Sequence, residues 1–181
     1  MGMPDGRVAL ATERLVLRPQ RVEDAVVLRQ LWTERDPRVP PHRRLDADGH
    51  PTVADLEEAI RTDPAPTTTG LLAVERKVDG DVIGYCGLVD SGRGTAGEPE
   101  LAFELLRRSW GRGYATEAAE AVISWARSSG HQRLWATVWD WNTASRRVLA
   151  KLGFTETERT ETQRTEASPD HGTTLWTTRQ L

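Results

Sequence analysis

The sequence has little of what marks several large classes of protein. Its one cysteine, Cys86, excludes a framework of internal disulfides and fits a reducing compartment. No apolar run approaches the roughly 20 residues that a membrane-spanning helix needs, and no signal-peptide core is present. The four histidines show no metal-ligand spacing, and neither His-Glu-x-x-His nor Cys-x-x-Cys occurs. We therefore expect a cytoplasmic protein with no metal site and no attachment to a membrane.

Charge and length narrow the possibilities further. A net charge of −3 argues against a nucleic-acid-binding protein held by its overall charge. The 181 residues, of which 38% are hydrophobic and 28% charged, suit one globular domain over residues 1–181. Within it, we expect residues 1–11 to be a loose leader.

The spacing of the apolar residues predicts an α/β fold. Strands are expected over residues 14–18, 71–78, 82–89, 98–106, 133–139, 154–161 and 174–179. Helices are expected over residues 22–34, 52–61, 114–129 and 142–152. This order predicts a mixed, mostly antiparallel central sheet of six to seven strands with about four helices. The unit from strand 98–106 through helix 114–129 to strand 133–139 is expected to be a parallel crossover.

The segment from Arg108 to Ala118 carries the strongest functional signal. It joins a predicted strand to a predicted helix, and Gly111 and Gly113 let its backbone approach a ligand closely. The unpaired amides of the helix N-terminus point at such a ligand and favour an anion. Three arginines add positive charge there: Arg107, Arg108 and Arg112. The segment therefore predicts an anion-binding site.

This segment resembles the acetyl-CoA pyrophosphate loop of the GNAT superfamily of N-acyltransferases. The family pattern is Gln/Arg-x-x-Gly-x-Gly/Ala, and here it reads Arg108-x-x-Gly111-x-Gly113. The longer string from Trp110 to Ala118 is similar to the RimJ/RimL-like branch of ribosomal-protein N-terminal acetyltransferases. Thr12 to Pro19 resembles the first strand of that branch. Asn142-x-x-Ser145, followed by Leu152-Gly153-Phe154, resembles its later helix on the CoA side.

The resemblance implies a GNAT-like fold with acetyl-CoA bound between two splayed strands, 98–106 and 133–139. It implies an acetyl-CoA-dependent N-acetyltransferase acting on a protein N-terminus or a small amine by direct attack in a ternary complex. By family analogy a homodimer is expected. A non-catalytic acyl-CoA-binding sensor or scaffold is the alternative. The cofactor-binding residues that the resemblance implies are Leu105, Leu106, Arg107, Arg108, Trp110, Gly111, Arg112, Gly113, Tyr114, Ala115, Thr116, Asn142 and Ser145.

The resemblance also implies catalytic roles in the strand 98–106. Glu100 matches the family position that deprotonates the amine, with Glu104 as the second choice. Pairing with an arginine, or exposure to solvent, is the alternative for either carboxylate. The backbone amides from Glu104 to Leu106 are implied as the oxyanion site, where side-chain identity matters little.

Ser145 is the candidate general acid for the thiolate leaving group. It lies on the apolar stripe of its helix, and no tyrosine follows Tyr114 to act as the acid found in many relatives. A hydrogen bond from its hydroxyl back to a helix carbonyl is the alternative. Asn142 is expected to contact CoA, to cap the helix, or both. Trp139 and Trp141 are expected either to pack in the core or to wall the acceptor groove.

Overall fold

The computed structural model describes residues 8–62, 69–90, 97–161 and 172–181. Within these residues the chain forms one eight-stranded sheet and four α-helices. The strands are β1 (Leu10–Ala11), β2 (Leu15–Pro19), β3 (Gly70–Arg76), β4 (Val82–Val89), β5 (Glu100–Leu105), β6 (Arg133–Trp139), β7 (Thr155–Glu161) and β8 (Thr173–Gln180). The helices are α1 (Ala25–Glu34), α2 (Val53–Thr62), α3 (Tyr114–Ser128) and α4 (Thr143–Lys151). Short 3-10 turns occur at Val22–Asp24, Pro41–Arg43 and Arg107–Ser109.

The strands follow the order β1-β2-β3-β4-β5-β6-β8-β7 across the sheet. Every neighbouring pair is antiparallel except β5 and β6, which are parallel and joined through α3. The prediction of an α/β fold with a mostly antiparallel sheet and one parallel crossover is therefore confirmed. The strand count is one above the upper expected number.

The additional strand lies in the expected leader. Leu10 and Ala11 pair with Leu17 and Val16 of β2, and Val8 is buried. Two residues are too few to show an alternation of apolar and polar side chains. This strand forms because the edge of β2 is available for pairing. The described end of the leader is thus part of the sheet.

One face of α3 is apolar, and this face packs on the sheet. Its buried residues are Ala118, Ala119, Val122, Ile123, Trp125 and Ala126. They join one buried cluster with alternate residues of the central strands, such as Leu101 of β5 and Leu134 of β6. The alanines let the helix axis approach β4 and β5 closely, which places the N-terminus of α3 beside the end of β5.

An ion pair between β2 and the residue before α1 attaches α1 to the sheet. Arg18 of β2 binds Asp24 through two hydrogen bonds of 2.8 and 3.0 Å, and its Nε donates to Glu75 of β3 at 2.7 Å. The Arg18 and Asp24 side chains are only 10% and 6% exposed. Asp24 also accepts from the backbone N–H of Arg21, so the start of α1 is tied to the sheet at this point.

Three strands are shorter than their patterns predicted, and one of them, β7, differs by one residue only, because it begins at Thr155. β5 begins at Glu100 rather than at residue 98, because Pro99 has no N–H to contribute to a ladder. β3 ends at Arg76 rather than at residue 78, and a loop over residues 77–81 connects it to β4. Gly80 carries the positive φ of that loop, at 68°.

Candidate active site

The parallel strands β5 and β6 separate soon after they meet. They share one residue pair, Glu100 with Trp135, where the N–H of Trp135 donates to the carbonyl of Pro99 at 3.0 Å. The pairing of β5 with β4, in contrast, continues over six pairs to Leu105. The C-terminal part of β5 therefore presents an unpaired backbone edge to a cleft between β5 and β6, as the resemblance implied.

The ladder between β4 and β5 identifies which amides face this cleft. The N–H of Leu106 donates to the carbonyl of Ile83 at 2.8 Å. Because amides alternate in direction along an antiparallel strand, the N–H of Leu105 points away from β4 and into the cleft. The Leu105 carbonyl, in the next peptide, accepts from the indole Nε1 of Trp110 at 2.6 Å, which restrains the chain directly after this amide. Of the expected segment Glu104 to Leu106, Leu105 has the accessible amide.

The glycine loop leads from the end of β5 into α3. Gly111 and Gly113 have φ values of 73° and 82°, in the left-handed region that glycine adopts without steric cost. In the part of the chain that the structure describes, the backbone amides of residues 111–116 donate to no protein acceptor. These amides stand at the N-terminus of a 15-residue helix and belong to the loop glycines, Tyr114, Ala115 and Thr116. The loop therefore has the form of an anion-binding site.

The three arginines of the loop differ in what they contact. Arg107 donates from Nε and Nη2 to the carbonyl of Glu34, at the C-terminus of α1, and its backbone N–H binds the Glu34 carboxylate at 2.7 Å. Arg108 lies 3.2 Å from Asp81. The exposed side chain of Arg112 has no partner among the described residues. Arg112 is therefore the cation most available to a bound anion.

Glu100 lies at the point where β5 and β6 separate. Its Oε1 accepts from the N–H of Thr137 at 3.1 Å and also from the Thr137 hydroxyl. This carboxylate oxygen replaces the β5 carbonyl that the β6 amide has lost. Oε2 of Glu100 accepts no hydrogen bond from the described residues, so one oxygen stays open.

Glu104, on the same face of β5, has both oxygens occupied. Arg35 donates to it from Nε at 2.9 Å and from Nη2 at 2.6 Å, and the Tyr85 hydroxyl donates at 2.9 Å. Burial, followed by the charge of Glu104, raises the pKa of Tyr85, so this phenol stays protonated as a donor. Arg35 also donates to the carbonyl of Arg43, which ties the loop after α1 to β5.

Sequence reasoning did not single out Arg35 or Tyr85. Tyr85 lies directly opposite Glu104 in the ladder between β4 and β5, so the pairing of those two strands was the available signal. Arg35 follows the last residue of α1 and carries no motif. Only the packing of α1 on the sheet brings it to β5.

Asn142 precedes α4, and Ser145 lies in its first turn. The Asn142 side chain caps the helix by accepting from the N–H of Ser145 at 3.1 Å, which confirms the expected cap. The Ser145 hydroxyl makes no hydrogen bond within the described residues, so the alternative of a bond to a helix carbonyl is not what the structure shows. This half-buried hydroxyl is free to meet a ligand.

Two tryptophans at the C-terminal end of β6 stack against each other. The ring centroids of Trp139 and Trp141 are 5.4 Å apart with an interplanar angle of 3°. The guanidinium of Arg43 lies 5.4 Å from the Trp139 ring and that of Arg38 lies 4.2 Å from the Trp141 ring. The loop after α1 thus packs on both rings through its cations.

Neither a metal cluster nor a membrane span occurs in the described ranges. No group of three His, Cys, Asp or Glu residues there is placed to hold a metal ion. No described helix is both long and apolar enough to cross a bilayer. Cys86 is buried, and burial raises the pKa of its thiol, which leaves it unreactive.

A cleft between splayed parallel strands, beside a glycine loop with unpaired amides, is the arrangement that the resemblance to the GNAT superfamily implied. The chain matches the acetyltransferase (GNAT) domain family over residues 14–155. It therefore belongs to this family, which confirms the resemblance seen in its motifs. Its homologues carry the name N-acetyltransferase, and this chain is an enzyme of that class.

Relatives and solved structures agree with this assignment. A Bacillus licheniformis protein named uncharacterized N-acetyltransferase p20 is 33% identical over 149 residues, covering 80% of this chain and 81% of that protein. A GNAT-family acetyltransferase from Bordetella pertussis is 25% identical, with a TM-score of 0.69 and coverage of 96% and 99%. RimJ of Mycobacterium smegmatis in complex with CoA-disulfide shares the fold, with a TM-score of 0.74, 19% identity and coverage of 96% and 86%.

Proposed function

We propose that this enzyme transfers the acetyl group of acetyl-CoA to a primary amine, on a protein N-terminus or a small molecule, by direct attack in a ternary complex. The observation that carries the proposal is the row of unpaired amides over residues 111–116 at the mouth of the cleft. A row of amides at a helix N-terminus fits the pyrophosphate of CoA and does not fit an uncharged ligand.

The residues present fit acetyl-CoA along its length. The amides of the glycine loop and the side chain of Arg112 would hold the pyrophosphate, with Arg108 and Trp110 beside them. The edge of β5 that faces the cleft and ends at Leu105 would lie along the pantetheine arm, and Asn142 would offer its remaining amide N–H groups from the start of α4. When bound, acetyl-CoA supplies the activated thioester.

The Leu105 amide would also stabilise the charge that develops on the thioester oxygen. It is the amide of the expected oxyanion segment that faces the cleft, because the Leu106 amide is occupied by Ile83. A backbone donor held by a sheet needs no reorganisation as charge develops. The Trp110 bond to the Leu105 carbonyl adds to this rigidity.

The two glutamates of β5 are separated by their partners. Glu104 accepts hydrogen bonds from Arg35 and Tyr85 on both oxygens and faces the charge of Arg35, so taking a proton from the amine would break a well-formed ion pair. Glu100 has a free oxygen at the point where β5 and β6 separate, while Thr137 orients its other oxygen. Glu100 is therefore the proposed base, acting directly or through water, and Glu104 is the anchor of Arg35.

Ser145 is the proposed donor to the departing thiolate, since its hydroxyl has no competing partner within the described residues. The demand on it is small. A thiol with a pKa near 8.5 is a good leaving group even without a strong acid. Replacement of Ser145 by alanine is therefore expected to slow transfer less than loss of the base.

The size of the effect expected from Glu100→Gln depends on the amine. At pH 7 an α-amine with a pKa of 7.7–8.0 is neutral about one time in ten, and a lysine amine about one time in 2,500. Those fractions bound the gain from a base that deprotonates the bound amine. We expect Glu100→Gln to lower kcat/KM at pH 7 by up to about tenfold for an α-amine, and by far more for a lysine side chain.

The decisive experiment follows thiol release from acetyl-CoA against pH for the wild type and Glu100→Gln, with an α-amine peptide and a diamine as acceptors. The defect should shrink as the pH rises towards the amine pKa, because the free amine then needs no base. A defect that is the same at every pH would contradict the role of Glu100. Stabilisation by CoA without turnover of any amine would instead support a non-catalytic sensor.

A further inference from the structure

Arg14, far from the loop in sequence, reaches it in the fold. Its Nη1 donates to the carbonyl of Arg112 at 3.0 Å, between the two loop glycines. Its Nε and Nη2 lie 2.7 and 2.6 Å from Oε2 of Glu117 in the first turn of α3. The guanidinium stands 4.7 Å from the centre of the Tyr114 ring. One side chain thus contacts the loop, the helix and its first residue.

Glu117 holds Arg14 in this position. Its other oxygen accepts from the hydroxyl of Thr12 at 2.5 Å and from the backbone N–H of Arg14 at 2.8 Å. These hydrogen bonds outweigh the burial that opposes them and lower the pKa of Glu117, so the carboxylate is ionised near neutral pH. Thr12 and Arg14, before β2, therefore contact α3 through one residue, Glu117.

The carbonyl that Arg14 binds sets the direction of an amide in the anion site. The carbonyl of Arg112 and the N–H of Gly113 belong to one planar trans peptide, so they point in opposite directions. With the oxygen held by Arg14, the Gly113 N–H must face the other side of the loop. Gly113, which follows this peptide, has a φ of 82° and no side chain, so it leaves the peptide free to rotate without such a restraint. Among the described residues, Arg14 is the partner of that carbonyl.

We propose that Arg14, braced by Glu117, is a positioning residue that fixes the 112–113 peptide so that its N–H meets the pyrophosphate of CoA. This inference rests on the proposed function, because it assumes that the loop binds CoA. Arg14 itself does not need to contact the phosphate. Its guanidinium is already committed to a carbonyl and a carboxylate.

The test compares ligands with and without the pyrophosphate. The dissociation constants of CoA and of pantetheine are measured by calorimetry for the wild type and Arg14→Gln. Kinetic constants are measured with acetyl-CoA and with S-acetylpantetheine. We expect Arg14→Gln to weaken CoA binding roughly 10- to 100-fold, the loss of a hydrogen bond to a charged group. Pantetheine binding and kcat should stay within about twofold of the wild type.

Arg14→Lys separates geometry from charge. Lysine keeps the positive charge but has no fork that reaches a carbonyl and a carboxylate together. We therefore expect Arg14→Lys to bind CoA nearly as weakly as Arg14→Gln. Full affinity in Arg14→Lys would show that charge alone matters and would overturn the proposal.

Arg61→Gln is the matched control. Arg61 is 49% exposed and paired with Glu57, against 44% exposure for Arg14, and it lies on α2 away from the loop. It should leave both affinities unchanged. Equal losses of CoA and pantetheine binding in Arg14→Gln, or no loss of CoA binding, would contradict the inference. A wild type that binds pantetheine as tightly as CoA would instead defeat the proposed function, whatever the variants do.

Discussion

Glu100 and Glu104 share one face of β5 but have different hydrogen-bond partners, and two matched substitutions test the different roles proposed for them. Glu104→Gln removes the charge opposite Arg35, whose side chain is 10% exposed. The guanidinium is then left in the protein without a counter-ion. Glu100→Gln keeps an oxygen that accepts from the N–H and hydroxyl of Thr137, and it leaves no cation unpaired.

The expected losses follow from these surroundings. Removing one partner of a fully buried ion pair costs about 3–5 kcal/mol. The Glu104 side chain is 25% exposed, so water compensates in part, and we expect Glu104→Gln to lose about 2–3 kcal/mol of unfolding free energy. For a chain of this length that lowers Tm by about 4–12 °C. Glu100→Gln should cost less than about 1 kcal/mol, because both hydrogen bonds keep their acceptor.

Thermal and guanidinium unfolding of both variants, together with thiol-release assays below their Tm, check this expectation. Glu100→Gln should keep the wild-type Tm and show the pH-dependent loss of rate. Glu104→Gln should have a lowered Tm and no pH-dependent loss of rate. The double variant Arg35→Met with Glu104→Leu should recover most of the lost stability, because an apolar pair leaves no unpaired charge. A Tm for Glu104→Gln within about 2 °C of that for Glu100→Gln would refute the reasoning.

Two further substitutions test how the fold supports the site. Asp24→Asn should lower the unfolding free energy by about 3 kcal/mol, because Arg18 is 9% exposed and loses a bidentate partner while a second carboxylate still faces it. Urea unfolding measures this loss. Glu57→Gln is the control, because it removes the exposed pair with Arg61 on α2, and it should lower the unfolding free energy by less than about 1 kcal/mol. Gly84→Ala places a Cβ 2.1 Å from a β5 carbonyl oxygen at a φ of 150°, so we expect a loss of at least about 2 kcal/mol. Gly80→Ala, with a φ of 68° and no atom within 4 Å, should lose less, and equal losses would contradict the close-approach argument.

The elements that the sequence predicted well are those whose signal is local. The bounds expected for β4 and β6, residues 82–89 and 133–139, are the observed ones, and α3 ends within one residue of its prediction. Alternation and helical spacing are properties of neighbouring residues, so they are visible in the chain itself. The Asn142 cap was predicted for the same reason, since a cap involves residues one turn apart.

The partners of the site residues were not predictable in this way. Arg35 and Glu104 are 69 positions apart in sequence, and Glu100 and Thr137 are 37 apart. From the chain alone, each glutamate had the same alternatives, namely an arginine partner, solvent or a catalytic role. Strand order and the packing of α1 decide between them, and no local pattern records either.

The arginines around the glycine loop are visible in the sequence, but their partners are not. Arg107 is occupied by the end of α1, Arg108 stands beside Asp81, and Arg14 beside Glu117. Most of the positive charge around the proposed pyrophosphate site is therefore balanced by the protein, which leaves Arg112 and the amides of residues 111–116. Affinity at such a site depends on how the peptide planes are held more than on the number of arginines. We therefore expect Arg14, which does not need to contact the ligand, to affect CoA binding through the 112–113 peptide that it holds.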